Sequence, residues 1–280
     1  MRASRQRPRW GQNFLSDPRV ARRIVEAAGP APGETVVEIG PGRGALTRPL
    51  LESGAHVVAF EIDGRLAQAL RESAAGLPLT VVAGDALKTD LGATLSGAGT
   101  RLPVCLVGNL PYESATPMIR AFVRRPDLFS RLVVMVQKEV AERLVARPGT
   151  SSYGYLTLDV GAHAEARRLF DVAPGAFSPR PKVTSAVVEL TLRAARAGTE
   201  PALAVASAAF TARRKTLLNG LAPRWGREAV AAVLERLALP PLTRADALPL
   251  SRFHALAEAL GPPPPPPRAR FLRGPPGTIH

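Results

Sequence analysis

Asn109, Leu110, Pro111 and Tyr112 close a run of apolar residues and together could do one demanding piece of chemistry. An exocyclic amine on an aromatic ring is a poor nucleophile because its lone pair is delocalised into the ring. Hydrogen bonds from that amine to the Asn109 side-chain oxygen and to the Leu110 backbone carbonyl would favour a pyramidal nitrogen and aim the lone pair. Pro111 fixes the backbone and brings no competing donor. Tyr112 offers a flat face on which an unstacked base can lie. The same tetrapeptide is also a common strand-to-turn exit, since Asn and Pro both favour turns. What precedes it decides between the two.

Glu38-Ile-Gly-Pro-Gly-Arg-Gly contains glycines at 40, 42 and 44. These allow a sharp turn and a close backbone approach to a ligand. Gly40, Gly42 and Ala45 also satisfy the dinucleotide fingerprint, and Glu61 lies near where a ribose-binding acid should be, so a nicotinamide-dinucleotide domain competes. Two acids in series favour a different ligand. Glu61 could accept both hydroxyls of a ribose, and Asp85, in Gly84-Asp85-Ala86-Leu87, could accept from an adenine amine. Either acid could instead cap a following helix. Taken with Asn-Leu-Pro-Tyr, a motif of the N/D-P-P-Y/F type found in amino-group methyltransferases, they point to S-adenosylmethionine. Such a transfer needs no strong general base and no metal. Catalysis is then mainly positioning, worth about 7–11 kcal/mol at best.

These residues need a scaffold that delivers them to one place. Segments 35–40, 56–63, 79–85, 103–109 and 131–137 read as buried strands, and helical spacing between them marks 45–53 and 64–74. Alternation of that kind predicts an α/β fold, a doubly wound, mostly parallel sheet of the Rossmann-like methyltransferase type. Its ligand site belongs at the carboxyl ends of the strands, where the singled-out residues fall. Segment 184–193 reads as one more strand. Beyond it, 202–221, 227–238 and 251–260 read as three helices, with Arg213-Arg214-Lys215 in the middle of the first. The expected organisation is a catalytic domain over 1–195, a small helical RNA-recognition domain over 196–261 and a proline-rich disordered tail over 262–280.

A surplus of 37 basic over 23 acidic residues, a net charge of +14, points to a polyanionic partner. Lysine occurs only at 88, 138, 182 and 215, so coding bias accounts for Arg over Lys but not for the surplus. Arg213, Arg214 and Lys215, Arg180 and Lys182, and the N-terminal Arg2, Arg5, Arg7 and Arg9 are candidates for phosphate contact. The single cysteine, Cys105, sits in an apolar run and reads as a core thiol. The histidines at 56, 163, 254 and 280 lack ligand spacing. No apolar run reaches the roughly 18 residues a membrane span needs, so a cytoplasmic protein without membrane partners is expected. No heptad or long apolar surface stands out, which favours a monomer.

The chain resembles the ribosomal RNA adenine dimethyltransferase family, closest to its bacterial small-subunit (16S) branch. The resemblance is carried by Gly11–Leu15, VVEIGPGRGALT (36–47), GDAL (84–87), GNLPY (108–112), QKEVAERL (137–144), Tyr153-Gly154, FSPRPKVTSAVV (177–188) and FTARRKTLLN (210–219). It implies that Asn13 and Leu15 close over S-adenosylmethionine, and that Gly40, Glu61, Asp85 and Asn109 contact it. Asn109 and the Leu110 carbonyl would hold the target amine, Tyr112 would stack on the base, and Phe177 would cover the base's other face or anchor its loop. The implied reaction is N6,N6-dimethylation of two adjacent adenosines near the 3′ end of 16S rRNA in the small ribosomal subunit or its precursor, with a role in biogenesis. Glu113-Ser114-Ala115 departs from the family's usual Asn-Ile-Ser. Rivals are a large-subunit (23S) rRNA methyltransferase of the macrolide-resistance type and an assembly-checkpoint binding protein.

Overall fold

Nine strands and eleven helices are built from residues 13–263, which a computed structural model describes. The strands are β1 (Phe14–Leu15), β2 (Thr35–Ile39), β3 (His56–Glu61), β4 (Leu79–Ala83), β5 (Val104–Asn109), β6 (Phe129–Gln137), β7 (Ala164–Val172), β8 (Phe177–Ser178) and β9 (Ser185–Leu192). Seven of them form one sheet in the order β4-β3-β2-β5-β6-β9-β7. The first five are mutually parallel, and β9 runs antiparallel between β6 and β7. The short β1 and β8 pair as a separate ribbon. The expected α/β doubly wound, mostly parallel sheet is thus what the chain adopts.

Apolar residues alternate in destination along each central strand. Val37, Ile39, Val58, Phe60 and Leu106 join one core cluster, while Val36, Val57, Ala59, Cys105 and Val107 join another. Two buried faces explain why these strands read as unbroken apolar runs. Helices α1 (Pro18–Ala28), α2 (Thr47–Glu52) and α3 (Gly64–Ser73) cover the second cluster. Helices α4 (Leu91–Gly97), α5 (Ala115–Phe122), α6 (Lys138–Leu144) and α7 (Tyr155–Gly161) cover the first. Asp17, Asp63 and Asp90 cap α1, α3 and α4, each side chain accepting from a first-turn N–H. Cys105 is buried, and burial pushes its thiol up to about 12.

Strand β7 has no counterpart in the sequence expectation. Its polar and apolar residues alternate irregularly across a bulge near Arg168–Phe170, so its period is broken. The helical region differs as well. Two compact units separate at Thr199 and Glu200. The second takes in α8 (Thr199–Thr211) from its second residue onward, α9 (Leu217–Trp225), α10 (Arg227–Arg236) and α11 (Leu250–Leu260), four helices rather than three. The predicted single helix over 202–221 is broken, and Arg213-Arg214-Lys215 occupies the turn between α8 and α9, not a helix interior. Thr216 causes the break: it is extended, bridges Arg244, and turns its hydroxyl to cap Asn219. Among the described residues no helix is long and apolar enough to cross a membrane. The basic N-terminus and the tail arginines Arg268, Arg270 and Arg273 lie outside the described residues.

Two buried acids brace this scaffold. Asp159 on α7 is fully buried and accepts from Arg120 on α5 and from Arg124, which follows that helix. Helix α5 starts directly beyond Tyr112, so this clamp holds the segment that carries the Asn109 loop. Glu38 on β2 is also fully buried and accepts a 2.7 Å hydrogen bond from the Thr47 hydroxyl. Desolvation, augmented by the Glu61 charge, raises its pKa from 4.5 to about 7.

Arg120→Ala combined with Arg124→Ala strands a buried carboxylate. The double variant should lose about 3 kcal/mol of unfolding free energy in urea titrations, and adding Asp159→Asn should return part of it. The raised Glu38 carboxyl binds its proton more tightly folded than unfolded. Its contribution is therefore intact below pH 4.5 and is lost as pH rises to about 7. Glu38→Gln should remove about 3 kcal/mol of that pH dependence when wild type and variant are compared across the window.

Candidate active site

Because the strand order reverses between β2 and β5, the loops after these two strands diverge and open a crevice at their carboxyl ends. Gly40 terminates β2 in a left-handed conformation (φ +67°), and its N–H donates to Phe60 on β3. Gly42 also has positive φ, and a Cβ there would sit 3.0 Å from the Phe14 ring. Its N–H donates to Glu61 Oε2 at 2.9 Å, while Glu61 Oε1 accepts from Asp63 N–H at 2.9 Å. Glu61 is thus a buried carboxylate with one backbone donor on each oxygen. Each oxygen keeps a further lone pair for a ligand. Asp63, not Glu61, caps α3, so Glu61 is not spent on a helix end.

Asp85 follows β4 and is half-buried. Its Oδ1 accepts from Leu87 N–H at 3.0 Å, and Lys88 Nζ stands 3.9 Å from Oδ2. Asp85 therefore does organise a turn, but through one oxygen only. Glu61 and Asp85 share the wall of a cavity of about 470 Å³ with Ile62, Leu87, Gly40, Tyr112 and Gln137. Ile62 and Leu87 are large apolar side chains left exposed, at 48% and 41%. Sequence reasoning passed over both. Each lies within two residues of a strand-end acid, and exposure at such positions has no sequence signature. Glu113 and Ser114, which depart from the family pattern, also line this cavity.

A second, small pocket of about 40 Å³ adjoins it, and Gly40, Pro111 and Tyr112 line both. Asn13, Phe14, Gly42, Asn109 and Leu110 complete it. Asn109 Nδ2 donates to the Asn13 backbone carbonyl at 3.1 Å. A carbonyl can only accept, so the amide must turn its NH₂ toward Asn13 and keep Oδ1 as an acceptor for another group. Asn13 is not a helix cap, since Asp17 caps α1. The Tyr112 hydroxyl is 2.7 Å from Ser185 Oγ, and Ser185 is fully buried on β9. That tether, absent from the sequence reading, fixes the Tyr112 ring. It links residues 73 positions apart, a separation at which nothing in the sequence pairs them.

Leu15 and Phe177 lie elsewhere. They are partners in the β1–β8 ribbon, 6% and 4% exposed, and pack together in the second core cluster. Neither lines the cavities built around Asn109 and Glu61. Side chains alternate along a strand, and at this register both point inward. The Phe177 ring therefore has no face open to a base and serves to anchor the ribbon that carries Asn13.

Comparison with known proteins identifies the family. The ribosomal RNA adenine dimethylase family matches residues 3–261. A ribosomal RNA small subunit methyltransferase A from Deinococcus radiodurans is 45% identical over 253 residues, covering 90% of this chain and 84% of its own. That of Aromatoleum aromaticum is 47% identical over 225 residues, covering 79% and 83%. The crystal structure of a dimethyladenosine transferase from Plasmodium falciparum superposes with a TM-score of 0.73 at 27% identity, covering 88% of this chain and 96% of that one. The 23S rRNA methyltransferase ErmE gives 0.67 at 28% identity, with 89% and 99% covered. With its crevice, its strand-end acids and its Asn-Leu-Pro-Tyr loop in that setting, the chain belongs to the ribosomal RNA adenine dimethylase family of methyltransferases.

Proposed function

We propose that the chain dimethylates the N6 atoms of two adjacent adenosines near the 3′ end of 16S rRNA, in the small ribosomal subunit or its precursor, using S-adenosylmethionine. The observation that carries this reading is the orientation of Asn109. Its Nδ2 is held by the Asn13 carbonyl, which leaves Oδ1 at the pocket as an acceptor for an N6–H. Relatives at 42–47% identity named small subunit methyltransferase A favour the 16S substrate over the 23S alternative. The surplus of positive charge fits an RNA partner and disfavours a dehydrogenase.

The larger cavity suits the methyl donor in size and in donor set. Glu61 would accept from the ribose hydroxyls and Asp85 from the adenine amine, with Ile62 and Leu87 providing apolar faces for the purine. S-adenosylmethionine would supply an electrophilic methyl and leave as a neutral thioether. The rest falls to the chain. Asn109 Oδ1 and the Leu110 carbonyl hold the target amine so that its lone pair points at the methyl carbon. Tyr112, pinned by Ser185, keeps the extruded adenine in plane. A C–N bond forms as the donor's C–S bond breaks, and the nitrogen then sheds its proton to water because the methylated ammonium is strongly acidic. Wall residues shared by the two cavities give the amine and the methyl a common boundary at Gly40, Pro111 and Tyr112.

The test is transfer of labelled methyl to small and large ribosomal subunits from cells lacking both modifications. Label in dimethyladenosine of the small subunit is expected. Label confined to the large subunit would move the chain to the 23S type, and none on either would overturn the reading. In the same assay Asn109→Ala should lower kcat about 100- to 1,000-fold while subunit binding persists, which separates an enzyme from a binding factor. Asp85→Ala should instead weaken S-adenosylmethionine binding by about tenfold in a calorimetric titration, with kcat at saturation largely kept.

A further inference from the structure

Beside the catalytic crevice lies a cavity of about 370 Å³ that the proposed reaction does not use. Its walls come from α1, from the end of the glycine loop and from α2, and its cationic side chains are Arg22, Arg43 and Arg48. All three are exposed, and none makes an ion pair among the described residues. This sets them apart from Arg19, Arg65, Arg125 and Arg167, each of which has an acidic partner within 3.3 Å. Arg43 instead stacks its guanidinium 4.8 Å from the centroid of the Phe14 ring. Two acids also line the cavity. Asp17 is already taken by Arg19 at 3.0 Å, which leaves Glu52 against three guanidinium groups. The chain's first twelve residues hold four arginines and no acid, so they bring no counter-charge.

The cavity sits next to the target pocket. Phe14 and Gly42 line the pocket, and the residues that follow them, Leu15 and Arg43-Gly44, line this cavity. An adenosine extruded into the pocket keeps its phosphates on either side, and this mouth lies within reach of the strand beside it. Guanidinium forks match phosphate oxygens in pairs, and clustered unpaired cations repel one another until an anion arrives.

We propose that the cavity lined by Arg22, Arg43 and Arg48 is a phosphate-binding site for the RNA backbone flanking the extruded adenosine. It grips the strand without reading bases, and it builds on the RNA substrate proposed above. The probe is the unmethylated small subunit, with affinity measured across a salt series. Relative to wild type, the Arg22→Ala, Arg43→Ala, Arg48→Ala triple variant should lose about two to three from the slope of log affinity against log salt. Its affinity at 0.1 M salt should fall on the order of 100-fold. Arg48→Ala alone should lose about one from the slope, which covers the case of a poorly folded triple variant. Arg101→Ala, Arg193→Ala, Arg196→Ala removes the same charge from the amino ends of the parallel strands, the end of the sheet opposite the crevice, and should barely move the slope. A triple variant with the wild-type slope, or a control variant that falls equally, would overturn the site while leaving the function intact. Wild type that neither binds nor methylates the subunit would overturn both. If inorganic phosphate binds in an arginine-dependent way while the RNA slope stays fixed, the cavity is a small-anion site and the RNA assignment fails.

Discussion

Strands β2 and β5 approach so closely at their carboxyl ends that no side chain fits between them. A Cβ on Gly108 would stand 2.9 Å from the Ile39 carbonyl oxygen, so the residue before Asn109 has to be glycine. This close approach falls where the sheet changes its winding direction, and everything functional in the crevice hangs from it. It sets the Gly40 turn and the Asn109 loop side by side. A sheet even slightly wider here would separate the wall that suits a methyl donor from the wall that suits a nucleobase.

Fixed polar groups then define the crevice with little help from flexible side chains. Glu61 has a backbone N–H on each oxygen, Asn109 is oriented by a backbone carbonyl, and Tyr112 is tied by its hydroxyl to a buried serine. Each bond joins a side chain to a partner that is itself immobilised by sheet, ribbon or turn. Preorganisation of this kind would spare the proposed reaction any rearrangement of these groups at the moment of transfer. Glu38, on β2 two residues before Gly40, shows the cost of the arrangement: a carboxyl buried near the charge of Glu61, neutralised as readily as a histidine.

Much of this was legible in the sequence because the relevant signals are local. Apolar runs ending in Gly40, Glu61, Asp85 and Asn109 announced strands whose carboxyl ends meet, and the glycine spacing announced the turn. What was illegible is long-range or cancels locally. Ser185 became visible only when β9 brought it to Tyr112, and Asn13, singled out by resemblance alone, showed its main-chain bond to Asn109 only in the fold. Strand β7 hid behind a bulge and an arginine-rich, irregular alternation. Of the two places the motif left open for Phe177, against the base or anchoring its loop in the core, the ribbon's register gives the second. Helical periodicity over 202–221 continued straight through a break that the Thr216 cap imposes.

The bond between Asn109 and residue 13 has an asymmetry with a genetic consequence. Its acceptor is a main-chain carbonyl, so it does not depend on which side chain residue 13 carries. It depends on where that carbonyl sits. The ribbon sets this position through Phe14 opposite Ser178 and Leu15 opposite Phe177, and Ser16 and Asp17 both donate to the Ala176 carbonyl. Point substitutions at residue 13 therefore leave this alignment in place. Insertion or deletion of one residue between 13 and 17 shifts the carbonyl along the ribbon and releases the amide. In this short stretch the reading frame of the fold, more than its spelling, is what selection has to guard.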